Sequence, residues 1–276
     1  MSVETLAYGY GLIEGPRVDD ENGLYFSDVH NGGVYRRSPD GTIATVVPKR
    51  RGVGGIALHA DGGVVVSGRN ICHVRDGETR VLFDQEDVPG YNDLVTGDDG
   101  GVWFGSLRSN PFDQEAERTP GELYHLRPDG SCDRVHGDVA LTNGLGFSPD
   151  GSRLYHCDSA ARTVWCYQWD RDGTVRRAAF AHPSQGSPDG LAVDEEGGVW
   201  VACYGGGCVQ RFGPDGEPSL TVTVPASAVT SLCFGGADRR DLYVVTADNL
   251  EDASRAGTIF RTHADVAGLA VPPARV

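Results

Sequence analysis

Short apolar runs alternate with glycine-rich polar turns along the whole chain, and one kind of run recurs six times. Each run carries an aromatic or β-branched residue at its third position, and most follow an Asp-Gly or Gly-Gly turn. The runs occupy residues 23–27, 63–67, 101–105, 153–157, 198–202 and 241–245. Runs of this length, bounded by such turns, predict short β-strands rather than helices.

The third residues of these runs are spaced almost evenly along the chain. They are Tyr25, Val65, Trp103, Tyr155, Trp200 and Tyr243, which lie 40, 38, 52, 45 and 43 residues apart. A period near 40–45 residues built from several short strands is the signature of propeller blades. We therefore predict an all-β fold, a six-bladed β-propeller with four antiparallel strands per blade, as one domain over residues 1–276 without a convincing helix.

Three further features of the pattern refine this prediction. The innermost strands are expected near residues 14–18, 55–58, 93–96, 144–147, 190–193 and 231–234. The last repeat ends after its third strand, so a strand near residues 3–7 is expected to close the ring and protect its open edge. The polar segment 106–121 interrupts the third blade and predicts a loop over one face, either a binding lid or a solvated excursion.

Composition limits the partners of the protein. The chain has 24 Lys and Arg against 39 Asp and Glu, a formal net charge of −15. Such a surface repels phosphate backbones and anionic lipid, which argues against nucleic-acid and membrane partners. No apolar stretch reaches membrane-spanning length, and the first residues do not resemble a secretory signal. The seven cysteines show no Cys-x-x-Cys spacing, so we expect reduced thiols in a cytoplasmic protein. A monomer or weak homo-oligomer is expected.

Polar residues recur at one position relative to the aromatic landmarks. Eleven residues before Tyr25, Trp103 and Trp200, and twelve before Tyr155, the chain has an oxygen-bearing side chain. The second repeat has Gly54 at this position, and the sixth has Thr230 and Ser231. In a propeller the strands that begin here are innermost, so these positions converge on the central channel. The four polar residues are Glu14, Asn92, Asn143 and Asp189.

Two carboxylates and two amides in one register suggest a cation site. Buried carboxylates without a counter-charge are costly, and a bound cation neutralises them. The donors are all oxygens, which suits one hard divalent cation; Ca²⁺ is the preferred candidate, with Zn²⁺, Mn²⁺ and Mg²⁺ as alternatives. The simpler alternative is that each side chain only caps a strand end by hydrogen bonding.

Five segments resemble the regucalcin, gluconolactonase and luciferin-regenerating-enzyme family, also known as the senescence marker protein family. They lie at residues 13–19, 91–106, 141–159, 187–207 and 229–236, each on its own repeat. The resemblance implies a six-bladed propeller with one divalent cation, bound by the residues that match the family motifs, Glu14, Asn143 and Asp189. It also implies that Asn92 lies next to the cation and touches the substrate.

One position departs from the family pattern. Sugar-lactonase members often carry an Arg two residues before the matched Asn, where it grips the substrate, but this chain has Gly90 there. Loss of a guanidinium fork weakens recognition of a polar sugar acid. Arg108, in the polar segment of the third blade, is a candidate replacement. The natural lactone therefore stays open.

The resulting hypothesis is a metal-dependent lactonase, gluconolactonase-like, that opens a small-molecule lactone with water activated at the cation. Asp189 is the candidate general base, and Asn92 is the candidate donor to the substrate's carbonyl or ring oxygen. No Gly-x-Ser-x-Gly motif is present, and His156 is the next candidate proton carrier. The same site would also suit a phosphoester or organophosphate, or a calcium-binding propeller without turnover.

Overall fold

Six four-stranded antiparallel sheets follow one another along the chain as the blades of a propeller. The structure is a computed structural model that describes residues 3–112 and 119–276. Blade 1 contains β2 (Ile13–Val18), β3 (Leu24–Asp28), β4 (Val34–Arg37) and β5 (Ile43–Val47). Blade 2 contains β6 (Ile56–Leu58), β7 (Val64–Val66), β8 (Ile71–Arg75) and β9 (Glu78–Phe83). Blade 3 contains β10 (Gly90–Thr96), β11 (Val102–Leu107), β12 (Gly121–Leu126) and β13 (Cys132–Val139).

The second half of the ring repeats this arrangement. Blade 4 contains β14 (Thr142–Phe147), β15 (Arg153–Asp158), β16 (Thr163–Trp169) and β17 (Val175–Ala181). Blade 5 contains β18 (Ser187–Val193), β19 (Val199–Tyr204), β20 (Cys208–Phe212) and β21 (Pro218–Thr223). Blade 6 contains β22 (Val229–Gly235), β23 (Asp241–Thr246) and β24 (Gly257–His263), and its outermost strand is β1 (Glu4–Tyr10). The predicted six-bladed architecture is thus confirmed, including closure by a strand near the N-terminus.

Burial follows the position of a strand within its blade. The innermost strands are mostly buried, whereas the outer strands β5 and β9 are largely exposed. Each innermost strand contacts that of the next blade, and β2 contacts β22, so the ring closes. Apolar side chains of neighbouring blades form the core clusters between them, for example Tyr155 of blade 4 with Val201 of blade 5.

Some predicted boundaries differ from the structure. The innermost strands of blades 3–6 begin two to three residues earlier than expected, because their backbone pairing continues on the other side of the polar residues, as in the Gly90–Leu107 pair of blade 3. Segment 106–121 begins inside β11 and ends inside β12, and its residues 113–118 lie outside the described part of the chain. Within the described residues, the one helical element is a 3-10 turn at Ala253–Arg255. No helix among the described residues is long and apolar enough to cross a membrane.

Candidate functional site

Cross-strand pairing shows that the polar residues of the sequence register occupy equivalent positions. We call the position of these polar residues the register position. In each blade, the residue three positions after it pairs directly with the aromatic or β-branched landmark. The pairs are Arg17–Tyr25, Ala57–Val65, Val95–Trp103, Gly146–Tyr155, Ala192–Trp200 and Cys233–Tyr243. The six equivalent residues are therefore Glu14, Gly54, Asn92, Asn143, Asp189 and Thr230.

A break in the strand ladder marks this position in five blades. Between β10 and β11 the pairing passes from Tyr91 directly to Leu94 and skips Asn92. The corresponding breaks lie between Glu14 and Arg17, between Thr142 and Leu145, between Pro188 and Leu191, and between Val229 and Ser231. Such β-bulges re-aim a side chain and are common next to active sites. In blades 3–6 the ladder skips the register residue itself, whereas in blade 1 Glu14 still pairs with Ser27 and the break follows it.

The two amides form a hydrogen-bonded chain across blades 3, 4 and 5. Asn92 Nδ2 donates to Asn143 Oδ1 at 2.7 Å and to the Thr142 carbonyl at 2.8 Å. Asn143 Nδ2 donates to Ser159 Oγ at 2.8 Å, and Ser159 Oγ donates to the Pro188 carbonyl at 2.6 Å. Both nitrogens are therefore turned into the protein, which leaves the Asn92 oxygen and the second lone pair of the Asn143 oxygen for another partner.

Gly54 makes room for Asn92. A Cβ atom at Gly54 would lie 1.9 Å from Asn92 Oδ1, a distance that no side chain tolerates. The glycine at the register position of blade 2 therefore belongs to the site, because it creates the space that the asparagine of blade 3 occupies.

The two carboxylates are buried and close enough to repel each other. Glu14 and Asp189 are each only 7% exposed, and Asp189 Oδ1 has no hydrogen-bond partner among the described residues. Burial raises the pKa of Glu14 well above its usual range, and the charges of Asp189 and Asp93 raise it further. Burial and Asp93 likewise raise the pKa of Asp189. An oxygen-lined site with an orphaned carboxylate oxygen is suited to a cation.

The comparisons with known proteins place this geometry in a family. A family model described as the SMP-30/Gluconolactonase/LRE-like region matches residues 12–248. The chain belongs to this family. It is 33% identical to a pentonolactonase of Haloferax volcanii over 90% of this chain and 85% of the relative. It is 32% identical to a regucalcin of Xenopus laevis, over 86% of this chain and 84% of the relative.

A solved luciferin-regenerating enzyme extends the same relationship to the fold. It superposes with a TM-score of 0.88 at 26% identity and covers 100% of this chain and 99% of its own. The resemblance found in the five sequence segments is thus confirmed for the SMP-30/gluconolactonase/LRE-like family.

This family member has an ion pair in its channel that the sequence reasoning missed. Asp93, next to Asn92, is 3% exposed, and its Oδ1 lies 3.8 Å from Arg17 Nη2. Arg17 Nη2 also donates to the Leu94 carbonyl at 2.8 Å, so the guanidinium links blade 1 to blade 3. Burial raises the pKa of Asp93 to about 6, although Arg17 opposes the shift. The sequence did contain a signal, because Asp93 and Arg17 are charged at strand positions where the other five blades have uncharged residues.

Arg108, the candidate substrate arginine, lies on the same face as the register residues but is engaged by carboxylates. Its Nη2 bonds Glu122 at 2.8 Å, and its Nη1 bonds Asp87 at 2.7 Å. These two partners raise the pKa of Arg108 above its usual range. Gly90 pairs with Leu107, the residue before Arg108, so the missing and the candidate arginine positions are neighbours. A Cβ at Gly90 would lie 3.2 Å from the Gly68 carbonyl oxygen.

His156, the alternative proton carrier, lies beside the site within the core. It is fully buried, and its Nε2 lies 2.6 Å from Thr142 Oγ1. Burial lowers the pKa of His156 to about 3, with a smaller effect of the Arg177 charge. The imidazole is therefore neutral at physiological pH and is enclosed by protein.

The chemistry of the donors is compatible with one divalent cation. Within residues 3–112 and 119–276, no three His, Cys, Asp or Glu side chains cluster closely enough to bind a metal ion by themselves. The candidate set contains two carboxylates, Glu14 and Asp189, and completes its oxygens with the amide of Asn143. When ionised, Glu14, Asp93 and Asp189 carry three negative charges, and Arg17 offsets one. Two negative charges remain, which matches a doubly charged ion.

The opposite end of the channel is closed by the C-terminal segment. Residues 264–276 cross this face: Leu269 N bonds the Val193 carbonyl, and Ala274 N bonds the Leu58 carbonyl, both at 2.8 Å. Beneath them lies a cavity of about 380 Å³, lined by the far ends of the innermost strands and also by Arg17. Glu14, Asn92, Asn143 and Asp189 do not line it, so the candidate site faces the other end.

Proposed function

We propose that the protein hydrolyses a sugar lactone at one divalent cation held by Glu14, Asn143 and Asp189. The observation that best supports this proposal is the pair of buried carboxylates, of which Asp189 has an oxygen without a hydrogen-bond partner among the described residues. The relatives of the chain include a pentonolactonase. Ca²⁺ is the preferred ion, with Zn²⁺, Mn²⁺ and Mg²⁺ as alternatives. When bound, the cation would polarise the lactone carbonyl and stabilise the negative charge that develops on its oxygen.

Asp189 is the proposed general base. Its Oδ1 is buried and has no hydrogen-bond partner among the described residues, which suits it to a bound ion, and we assign proton acceptance from the attacking water to Oδ2. Glu14 is assigned to the ion alone, because its Oε2 already accepts the Gly15 N–H at 3.3 Å.

Asn92 is the proposed contact to the substrate. Both of its amide hydrogens are used within the protein, so its Oδ1 is the atom that can accept a hydrogen bond from a lactone hydroxyl. Donation to the carbonyl or ring oxygen requires release of the bond to Asn143 Oδ1. Arg108 remains a proposed substrate contact, because Asp87 is highly exposed and a substrate hydroxyl can take its place on Nη1.

The decisive experiment is a hydrolysis assay on a panel of pentono- and hexonolactones, with and without EDTA. Turnover that is lost on chelation and restored by one divalent cation is the expected result. Hydrolysis of phosphoesters but not lactones would replace the lactonase proposal. Tight cation binding with no turnover of either class would leave a non-catalytic cation-binding propeller.

We further propose that the chain acts as one unit in the cytoplasm, as a monomer or weak homo-oligomer. All seven cysteines are free, and five of them are buried, which is in keeping with a reducing compartment.

A further inference from the structure

Two positions of the innermost strands break the pattern of the other blades, and the residues that break it contact each other. The residue after the register position is small or glycine in five blades: Gly15, Gly55, Gly144, Gly190 and Ser231. In blade 3 it is Asp93. The residue three after the register position is uncharged in five blades: Ala57, Val95, Gly146, Ala192 and Cys233. In blade 1 it is Arg17.

Hydrogen bonds to the backbone fix both side chains of this pair between the two ends of the channel. Asp93 Oδ1 accepts the Leu94 N–H at 2.7 Å, and Arg17 Nη1 donates to the Pro16 carbonyl at 2.7 Å. Blade 2 lies between blades 1 and 3, and its inner strand has only three residues. A Cβ at Gly55 would lie 2.5 Å from Leu94 N, so this glycine lets blade 3 pass close to blade 2.

Asp93 acts on the site through charge rather than as a ligand. It directly follows Asn92 on β10 and contacts Arg17, which lies three residues after Glu14 on β2, so it stands beside the site; its charge accordingly raises the pKa of both Glu14 and Asp189. It does not form a three-carboxylate cluster of metal-binding geometry with them among the described residues. Arg17 lines the cavity at the opposite end of the channel, and from there its guanidinium forms the ion pair with Asp93.

We propose that the Arg17–Asp93 pair sets the net charge of the cation site and thereby its preference for divalent ions. Asp93 adds a third negative charge close to the ion, and Arg17 cancels one of the three. Because the free energy of interaction scales with the product of the charges, each residue affects a trivalent ion more than a divalent one. The inference rests on the proposed cation site of Glu14, Asn143 and Asp189.

The test is calorimetric titration of the metal-free protein with Ca²⁺ and with La³⁺ for four proteins: wild type, Asp93→Asn, Arg17→Met and the double variant. Asp93→Asn is expected to weaken Ca²⁺ binding about tenfold or more and La³⁺ binding further. Arg17→Met is expected to strengthen both, La³⁺ more than Ca²⁺. The double variant is expected to return close to wild type.

A purely structural role predicts a different result, because either single change would then weaken both ions by similar factors. Weaker binding in both single variants would overturn the proposal, as would an unchanged ratio of La³⁺ affinity to Ca²⁺ affinity in both. Arg17→Lys retains the charge without the planar fork and is expected to keep the wild-type ratio. If Arg17→Met does not fold, Asp93→Asn alone decides, because its La³⁺-to-Ca²⁺ ratio must fall. A wild type that binds neither ion would instead reject the cation site itself.

Discussion

Asp189 has two proposed tasks, binding the ion through its buried Oδ1 and accepting a proton at Oδ2, and substitution can separate them. Asp189→Asn retains an oxygen for the ion but removes a negative charge and the proton acceptor. We expect weaker cation binding and, at saturating cation, turnover lower by roughly 10²–10⁴-fold. Cation titration combined with steady-state kinetics measures both effects. Wild-type turnover of Asp189→Asn at saturating cation would show that Asp189 is only a ligand.

Asn92→Ala is the matched comparison for that variant. It removes no charge, so cation affinity should stay near that of wild type. KM should rise because the Oδ1 acceptor for a lactone hydroxyl is lost, and turnover should fall by roughly 10²–10³-fold where Nδ2 is released to donate to the lactone carbonyl. Because the two losses of activity are similar in size, the cation titration distinguishes them. A large loss of cation affinity in Asn92→Ala would make Asn92 a direct ligand.

At the same scale, the sequence register located Glu14, Asn92, Asn143 and Asp189 at equivalent strand positions, although their roles stay predictions. It succeeded because each lies a nearly fixed number of residues before an aromatic landmark. It missed Asp93 and Arg17 for a physical reason. Ladder breaks change which way side chains point, so strand alternation alone does not reveal that two charges in different blades meet.

Blade 2 contributes to the site by leaving space, and one substitution tests this fit between elements. Gly54→Ala would place a methyl group against Asn92 Oδ1 and push that side chain from its bond to Asn143. We expect turnover to fall about as far as in Asn92→Ala. Gly137→Ala is the control, because a Cβ there meets nothing within 4 Å. Equal turnover of Gly54→Ala and Gly137→Ala would contradict the proposed fit between blades 2 and 3.

The strand β1 joins the two ends of the ring through a side chain as well as through its ladder. Tyr10 packs edge-on against Phe26 of blade 1, with ring centroids 4.9 Å apart. Tyr10→Ala is expected to lower the free energy of unfolding by about 1–3 kcal/mol. Tyr8→Ala, on the same strand but 59% exposed, is expected to cost under about 1 kcal/mol. Denaturant unfolding measures both, and equal losses would exclude a closing role for Tyr10.

Elements were predictable where they repeat and unpredictable where they do not. The innermost strand of blade 1, expected near residues 14–18, is β2 (Ile13–Val18), because its spacing to the aromatic run recurs in the other blades. The path of residues 264–276 across the far face had no such signal. Its backbone bonds to Val193 and Leu58 depend on tertiary contacts rather than on any local pattern.

For the whole molecule, the buried carboxylates link stability, pH and cation binding. The pKa values of Glu14 and Asp189 are raised in the fold, so above about pH 4 these two groups bind more protons in the metal-free protein than in the unfolded chain. Their contribution to stability is therefore present below the unfolded carboxyl pKa, about 4, and is lost as pH rises through the raised values. A bound cation removes this loss.

We therefore expect the stabilisation by Ca²⁺ to increase as pH rises, reaching about 2.7 kcal/mol at a concentration of 100 times Kd. Melting temperatures measured from pH 4 to 8, with EDTA and with Ca²⁺, test this. In Glu14→Gln/Asp189→Asn the difference between the two conditions should disappear. A Ca²⁺ effect in wild type that is independent of pH would separate the cation from these carboxylates.

Closure of the ring by β1 also has a consequence for biosynthesis. The strand β1 precedes blade 1 in the chain but pairs with β24, so that Glu4 meets Arg261 only after blades 1–5 between them have been translated. Contacts between residues so far apart in sequence slow folding, because a long loop must be closed before they form. Until then blade 6 has three strands and an open edge, which is a template for association with another nascent chain. Slow translation or early termination before β24 should therefore favour aggregation over a partly built, functional propeller.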